Sequence, residues 1–194
     1  MGKQHKSRPW LIGGVSVVLI AAVALFYHTF YPVEPDGSNL ETCIKDFYNR
    51  GFSIEQSPVI QIHDSVTLGK TKYVLIELGE DLGRVILSQG LTGRYRIEKL
   101  GYGGGNFREG IVENAGKKYL LYGGRNTALQ IAAMSVTLDG FTYNLAIPAK
   151  TRFLVCTEID SRIEDNHVDL NRVVVYNAQG EDITERVDLS GGGM

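Results

Sequence analysis

From Pro9 to Val33 the chain carries no Asp, Glu, Lys or Arg, and residues 10–31 read WLIGGVSVVLIAAVALFYHTFY. No other feature limits the fold so strongly, because a helix built from this run has no polar face to turn toward water. At about 1.5 Å rise per residue, about 20 residues span the hydrocarbon core of a bilayer. Lys3, Lys6 and Arg8 stand before the run, and Glu34 and Asp36 come after it. Positively charged flanks stay inside, so residues 1–9 are expected in the cytoplasm and everything after the run outside. Trp10, Tyr27 and Tyr31 fall where interfacial aromatics belong. The small-x-small pattern of a signal-peptidase site occurs as Ala22-Val23-Ala24, but inside the run, where cleavage would cut a helix in mid-membrane. Cys43 is too distant from the run to carry a lipid anchor. The expectation is an uncleaved, single-pass signal anchor over residues 10–31 in the cell membrane.

The remainder of the chain suits one modest domain. Residues 32–38, Pro-Val-Glu-Pro-Asp-Gly-Ser, read as a short stiff linker. Residues 39–189 are enough to bury a core without staples, and 190–194 read as a flexible tail. Setting aside Lys3, Lys6 and Arg8 leaves 17 basic residues against 22 acidic ones. That balance argues against nucleic acid as a partner and leaves an envelope protein or a glycan.

The spacing predicts a helix over Leu40 to Arg50, with Leu40, Cys43, Ile44, Phe47 and Tyr48 on one face. Ser38 or Asn39 is placed to cap it, with Glu41 completing a capping box from Ser38, and Gly51 for the stop. From Pro58 the period changes to two. Strands are expected at Val59–His63, Lys72–Leu78, Arg84–Ser88, Arg94–Leu100, Phe107–Glu113, Lys118–Tyr122, Ile131–Leu138, Phe141–Ile147, Arg152–Ile159 and Arg172–Tyr176. Turns are expected at Gly79–Gly83, Gly90–Gly93, Asn114–Gly116 and Gly123-Gly124. Asp139-Gly140 suits a two-residue type I′ hairpin. Such a turn pairs Leu138 with Phe141, Val136 with Tyr143, Met134 with Leu145 and Ala132 with Ile147, all on one face, leaving Thr137, Thr142, Ser135 and Asn144 on the other. The order of elements predicts an α+β, mainly β fold: a transmembrane helix, one amphipathic helix, then an antiparallel β meander or sandwich-like domain. A shift of composition near 123–128 marks either a subdivision or a loop, and size favours a single domain.

Chemistry is sparse. Gly101-Tyr-Gly-Gly-Gly105-Asn-Phe107 fails the spacing of a phosphate-binding glycine loop and precedes a strand rather than a helix. It reads either as a wide hairpin connection or as a loop offering Tyr102 and Phe107 to a ligand. Arg94 and Arg96, with Lys99 nearby, form a basic cluster that reads either as a solvated strand face or as a ligand-binding site for an anionic polymer. Alternation puts Arg94, Arg96 and Glu98 on one face of the strand and Tyr95, Ile97 and Lys99 on the other. Asp165-Asn-His-Val-Asp169-Leu-Asn171 alternates ligand types but lacks the glycine and distal Glu of an EF-hand, so no metal or other cofactor is expected. Glu80/Asp81 and Glu181/Asp182 read as turn residues. No G-x-S-x-G, H-E-x-x-H or C-x-x-C motif occurs, so no catalytic residue is assigned. Cys43 and Cys156, the only cysteines, suit either a disulfide across a long loop or burial as two small apolar side chains.

The segment Gly90–Asn126 contains, in order, Gly-Arg-Tyr-Arg-Ile-Glu, Asn-Phe-Arg and Lys-Lys-Tyr-Leu-Leu. In this it resembles a region of uncharacterised single-pass membrane proteins of Gram-positive bacteria, across about a fifth of the chain. The resemblance implies an extracytoplasmic β-rich domain and transfers no site residue. The functional expectation is a membrane-anchored binding, sensing or accessory module without catalysis of its own. The alternative is an envelope-acting hydrolase using Asp and Glu carboxylates, which would need two of them in one cleft.

Overall fold

Ten strands with apolar residues at alternate positions form three antiparallel sheets, and shared hydrophobic clusters join those sheets in layers. A computed structural model describes residues 9–50 and 58–189. Helix α1 covers Pro9–Phe30 and α2 covers Leu40–Asn49. The first sheet runs β1 (Ile60–Leu68), β2 (Thr71–Leu78), β3 (Asp81–Gln89), β4 (Tyr95–Gly103) in that order. The second has the order β5 (Phe107–Asn114), β6 (Lys117–Arg125), β9 (Arg152–Ile159). The third has the order β10 (Val173–Tyr176), β7 (Ala133–Leu138), β8 (Phe141–Ala146). Short 3-10 turns occupy Leu170–Arg172 and Thr184–Arg186.

The helix expected over residues 10–31 is present as α1, 22 residues without an acidic or basic side chain other than His28. Among the described residues no helix is long and apolar enough to cross a membrane; the side chains of α1 are described without a break only from Ser16 onward. The linker is not a free spacer. Val33 is buried and exchanges two backbone hydrogen bonds with Tyr95, at 2.9 and 3.0 Å, so this segment joins the edge of the first sheet. The capping box does not form either. Asn39 precedes α2, and its amide is spent on the linker, donating to Pro32 O and accepting from Glu34 N. Ser38 instead donates its N–H to Asp36. Gly51, the expected stop, lies outside the described residues.

Alternation decides the layers. On β2 and β3, Val74, Ile76, Val85 and Leu87 face α2, where Leu40, Cys43 and Ile44 meet them. Their neighbours Tyr73, Leu75 and Leu82 turn the other way and pack on Leu121 and Leu154 of the second sheet. The second sheet is therefore covered on both sides, since Phe107, Leu120, Tyr122 and Phe153 face the third sheet. A strand buried on both faces reads as a continuous apolar run, as Tyr119-Leu-Leu-Tyr122 does.

The β7–β8 hairpin has the register the turn chemistry dictates: Leu138↔Phe141, Val136↔Tyr143 and Met134↔Leu145, with Ala132 O accepting from Ile147 N. Asp139 and Gly140 have φ of 45° and 82°, as a type I′ turn requires. Elsewhere the glycines mislead. Gly123 and Gly124 lie inside β6 rather than in a turn, because Leu75 and the Phe107 ring leave no room there for a Cβ. Residues 123–125, one option for a subdivision, are accordingly strand. The turn at Gly79 is shorter than expected, with β3 already begun at Asp81. The Gly101–Gly105 segment is no hairpin: it carries the chain from β4 in the first sheet to β5 in the second. Cys43 and Cys156 are both free thiols rather than a disulfide, Cys43 on the buried face of α2 and Cys156 on β9, partly buried against the first sheet.

Candidate functional site

The residues expected to bind a ligand are not brought together. Phe107 is fully buried between Tyr122 and Phe153, with ring centroids 5.7 and 6.4 Å away. Its role is packing, which wins because it is opposite Gly124 at the centre of the protein. Tyr102 lies on the α2 side of the first sheet, 5.7 Å from the ring of Tyr48. Arg94 is consumed by the chain itself: Nε donates to Tyr31 O at 2.7 Å, Nη2 to Pro32 O at 2.7 Å, and Nη1 to Glu34 Oε2 at 2.6 Å. Arg96 pairs with Glu98 at 2.7 Å and sits 5.8 Å from the Tyr31 ring. Arg94 thus braces the exit of α1, while Arg96 lines a cavity of about 440 Å³ together with Phe30, Pro32 and Phe47.

The glycine-rich crossover is also self-contained. Arg108 Nε donates to Leu82 O at 3.0 Å, Nη1 to Phe107 O at 2.7 Å, and Nη2 to Gly104 O at 3.1 Å and to Gly103 O. One guanidinium thus collects the carbonyl groups that the bend leaves unpaired. Asp165 and Asp169 are likewise used locally. Asp165 Oδ2 accepts from Asp139 N, Asp139 Oδ2 accepts from Glu164 N at 2.6 Å, and Asp169 accepts from Asn171 N. Among the described residues no three His, Cys, Asp and Glu side chains are grouped to hold a metal ion.

Two polar clusters lie deeper, and neither is signalled by a motif. In the first, Glu77 on β2 is bound from both sheets. Its Oε1 accepts from Arg125 Nε and Arg152 Nε, each at 2.8 Å, and its Oε2 lies 2.8 Å from His63 Nε2. Burial pushes the carboxyl pKa upward, but the hydrogen bonds from Arg125, Arg152 and His63 outweigh it and hold the group below its ordinary value. Every oxygen of Glu77 is occupied, so this cluster fastens sheets together and offers no reactive carboxylate.

The second cluster surrounds Arg84 and leaves polar atoms spare. Arg84 is completely buried on β3, facing the second sheet between Leu82 and Ile86. Its single hydrogen bond runs from Nη2 to Glu109 O at 3.3 Å, while Nε and Nη1 have no partner. Burial lowers its pKa to about 10. Gly110 on β5 makes the close approach feasible, since a Cβ there would stand 2.7 Å from Nη2. Beside the guanidinium is a cavity of about 170 Å³, lined by Arg84, Lys99, Glu109, Gly110–Val112 and Asn166–Val168. Its walls come from β3 and from the edge strands β4 and β5 of two sheets, with residues 166–168 closing one side.

Lys99 reaches this cavity because of a β-bulge. Ile86 pairs with Lys99 but the next residue, Leu87, pairs with Ile97, leaving Glu98 as the extra residue. The bulge turns Lys99 away from Tyr95 and Ile97, the face that simple alternation assigns to it, and onto the face of Arg84. Glu109 leaves β5 on the other side: it is opposite Tyr122, whose ring belongs to the core against the third sheet. Burial raises the pKa of Glu109 despite Arg108 and Arg84 nearby. A charged residue in register with Leu82 and Ile86 is the one sequence signal for this site. No protein-family model matches the chain, and no curated protein or solved structure matches it either.

Proposed function

We propose that the chain is a membrane-tethered binding or accessory module, without catalysis of its own, whose β-rich body stands outside the cytoplasmic membrane. The observation that carries this reading is the exposure of α1: Val17, Val18, Leu19, Ile20, Val23, Leu25 and Phe26 are 61–71 % exposed, and the sheets cover none of them. Contiguous apolar surface on this scale is unfavourable in water and favourable in lipid. The flanking charges orient the helix with residues 1–8 inside.

The attachment of body to helix supports the same reading. Thr92 N donates to Tyr27 Oη at 3.1 Å, and Gly90 lies against the Tyr27 hydroxyl and the Tyr31 ring. Together with Arg94 and the Val33–Tyr95 bridge, these contacts fix the body at the end of α1. Leu91, at the tip of the β3–β4 turn, is 92 % exposed and faces Leu19, Ile20, Val23 and Ala24 across a groove of about 450 Å³. In a bilayer this turn meets the acyl chains of the outer leaflet beside the helix. An envelope protein or a glycan is the class of partner left to the body, whose net charge is mildly negative.

The test is topology in membranes. Full-length protein should resist alkaline extraction, and a cysteine introduced as Glu181→Cys should react with an impermeant maleimide on intact cells. Gln4→Cys should react only after lysis. Release of the protein by alkali, or labelling of Gln4→Cys on intact cells, would overturn the reading.

A further inference from the structure

We propose that the cavity between the edges of β4 and β5 binds a single oxyanion group, a phosphate or a carboxylate, through Arg84 and Lys99. Three independent observations converge on it. Arg84 is a fully buried cation with two unpartnered nitrogens and one long hydrogen bond. Burying a guanidinium without compensation is costly, and native proteins tolerate this where something else completes the pairing. The surroundings also bring in a second cation, while the nearby Glu109 carboxylate attracts the guanidinium without hydrogen-bonding to it. The bulge at Glu98 brings Lys99 to the same face, and the side chain of Glu109 departs from the opposite face of β5. Finally, the backbone is cut back to make the site. Gly110 is bare where a Cβ would stand 2.7 Å from Arg84 Nη2, and β5 has no strand on its outer edge.

Size narrows the ligand. A cavity of about 170 Å³ accommodates one phosphate or carboxylate group with a few waters, each of about 30 Å³. It is too small for a nucleotide or a disaccharide, so the recognised group is a free ion or the terminus of a larger molecule left outside. Arg84 supplies a planar fork suited to two oxygens of such a group, and Lys99 a mobile charge at the rim. Asn166 and His167 stand at the other wall. The inference does not depend on α1 entering a bilayer.

Titration calorimetry on the full chain in detergent micelles, with inorganic phosphate and separately with acetate against chloride at matched ionic strength, tests it. The expected result is one saturable site per chain, weakened about tenfold or more by Lys99→Ala and abolished by Arg84→Met. The stronger of the two anions identifies the oxyanion class. Should Arg84→Met fail to fold, Lys99→Ala decides alone, because Lys99 is exposed and its removal leaves the core intact. Absence of saturable binding by both anions, or an unchanged affinity in Lys99→Ala, overturns the proposal.

Discussion

Gly110 and Arg84 form a pair in which the absence of one side chain makes room for another. Arg84 lies in a layer otherwise made of Tyr73, Leu75, Leu82, Leu121 and Leu154. Its guanidinium reaches the backbone of β5 only because residue 110 has no Cβ, which would stand 2.7 Å from Nη2. Gly110→Ala should therefore push the guanidinium toward the neighbouring cavity and destabilise the protein by about 1 kcal/mol, the low end of the cost of overpacking. Urea denaturation measures it, and a change below about 0.5 kcal/mol, the range of neutral surface substitutions, would show that Arg84 moves aside freely. Arg84 also shows where periodicity falls short. It opens the strand expected from the sequence, where a charged residue is ordinarily a solvated end, whereas β3 begins at Asp81 and places Arg84 in the interior.

Among the strands, the β7–β8 hairpin and β4 show opposite outcomes of the same alternation. In the hairpin, turn residues and pairing agree, and Met134, Val136 and Leu138 are buried while Thr142, Asn144 and Ala146 are exposed; on the core face only Phe141, beside the turn, is exposed. Gly140, at φ 82°, has open space where a Cβ would stand, with nothing within 4 Å, so replacing it tests the backbone alone. Gly140→Ala should cost about 1–2 kcal/mol for the left-handed conformation, read as a lowered Tm with the β-sheet circular dichroism retained. An unchanged Tm would mean that the turn is not under this constraint. In β4, by contrast, one bulge at Glu98 reverses the faces downstream, and Lys99 passes from the α2 side to the cavity. A bulge leaves no mark in residue type, because any residue accepts the extra position. The cap of α2 also depends on distant partners: Asn39 takes the N-cap position, but its amide holds Pro32 and Glu34 of the linker instead of the first turn.

Across the molecule, Glu77 couples the first sheet to the second through Arg125 and Arg152. Its folded-state pKa is held below the unfolded value, so its contribution is fully present above the unfolded carboxylate pKa of about 4.3 and is lost as pH falls through the folded pKa. Wild-type stability should drop as acid is added through that window. Glu77→Gln should lose about 3 kcal/mol at pH 7, because it leaves two partly buried arginines unpaired, and should show a flatter profile below about pH 4. Guanidinium denaturation at a series of pH values measures both, and parallel profiles for the two proteins would rule Glu77 out as the source of the acid sensitivity. Charge pairs of this kind cannot be read along a chain, since Glu77 and Arg152 are far apart in sequence and their meeting depends on how the sheets stack.

Local sequence was enough to specify the uncharged helix near the N-terminus, the amphipathic α2, the order of ten strands, though β1 runs on to Leu68 and β3 starts at Asp81, and the register of the β7–β8 hairpin. Each of these comes from short-range periodicity or from the backbone angles that a turn residue permits. The stacking of the sheets was needed to divide those strands among three layers, to make Gly123 and Gly124 strand rather than turn, and to put Phe107 in the core. It also brought Arg84, Lys99 and Gly110 to one cavity. These outcomes depend on contacts between residues distant along the chain, where burial and close packing select among arrangements that local propensity leaves equal.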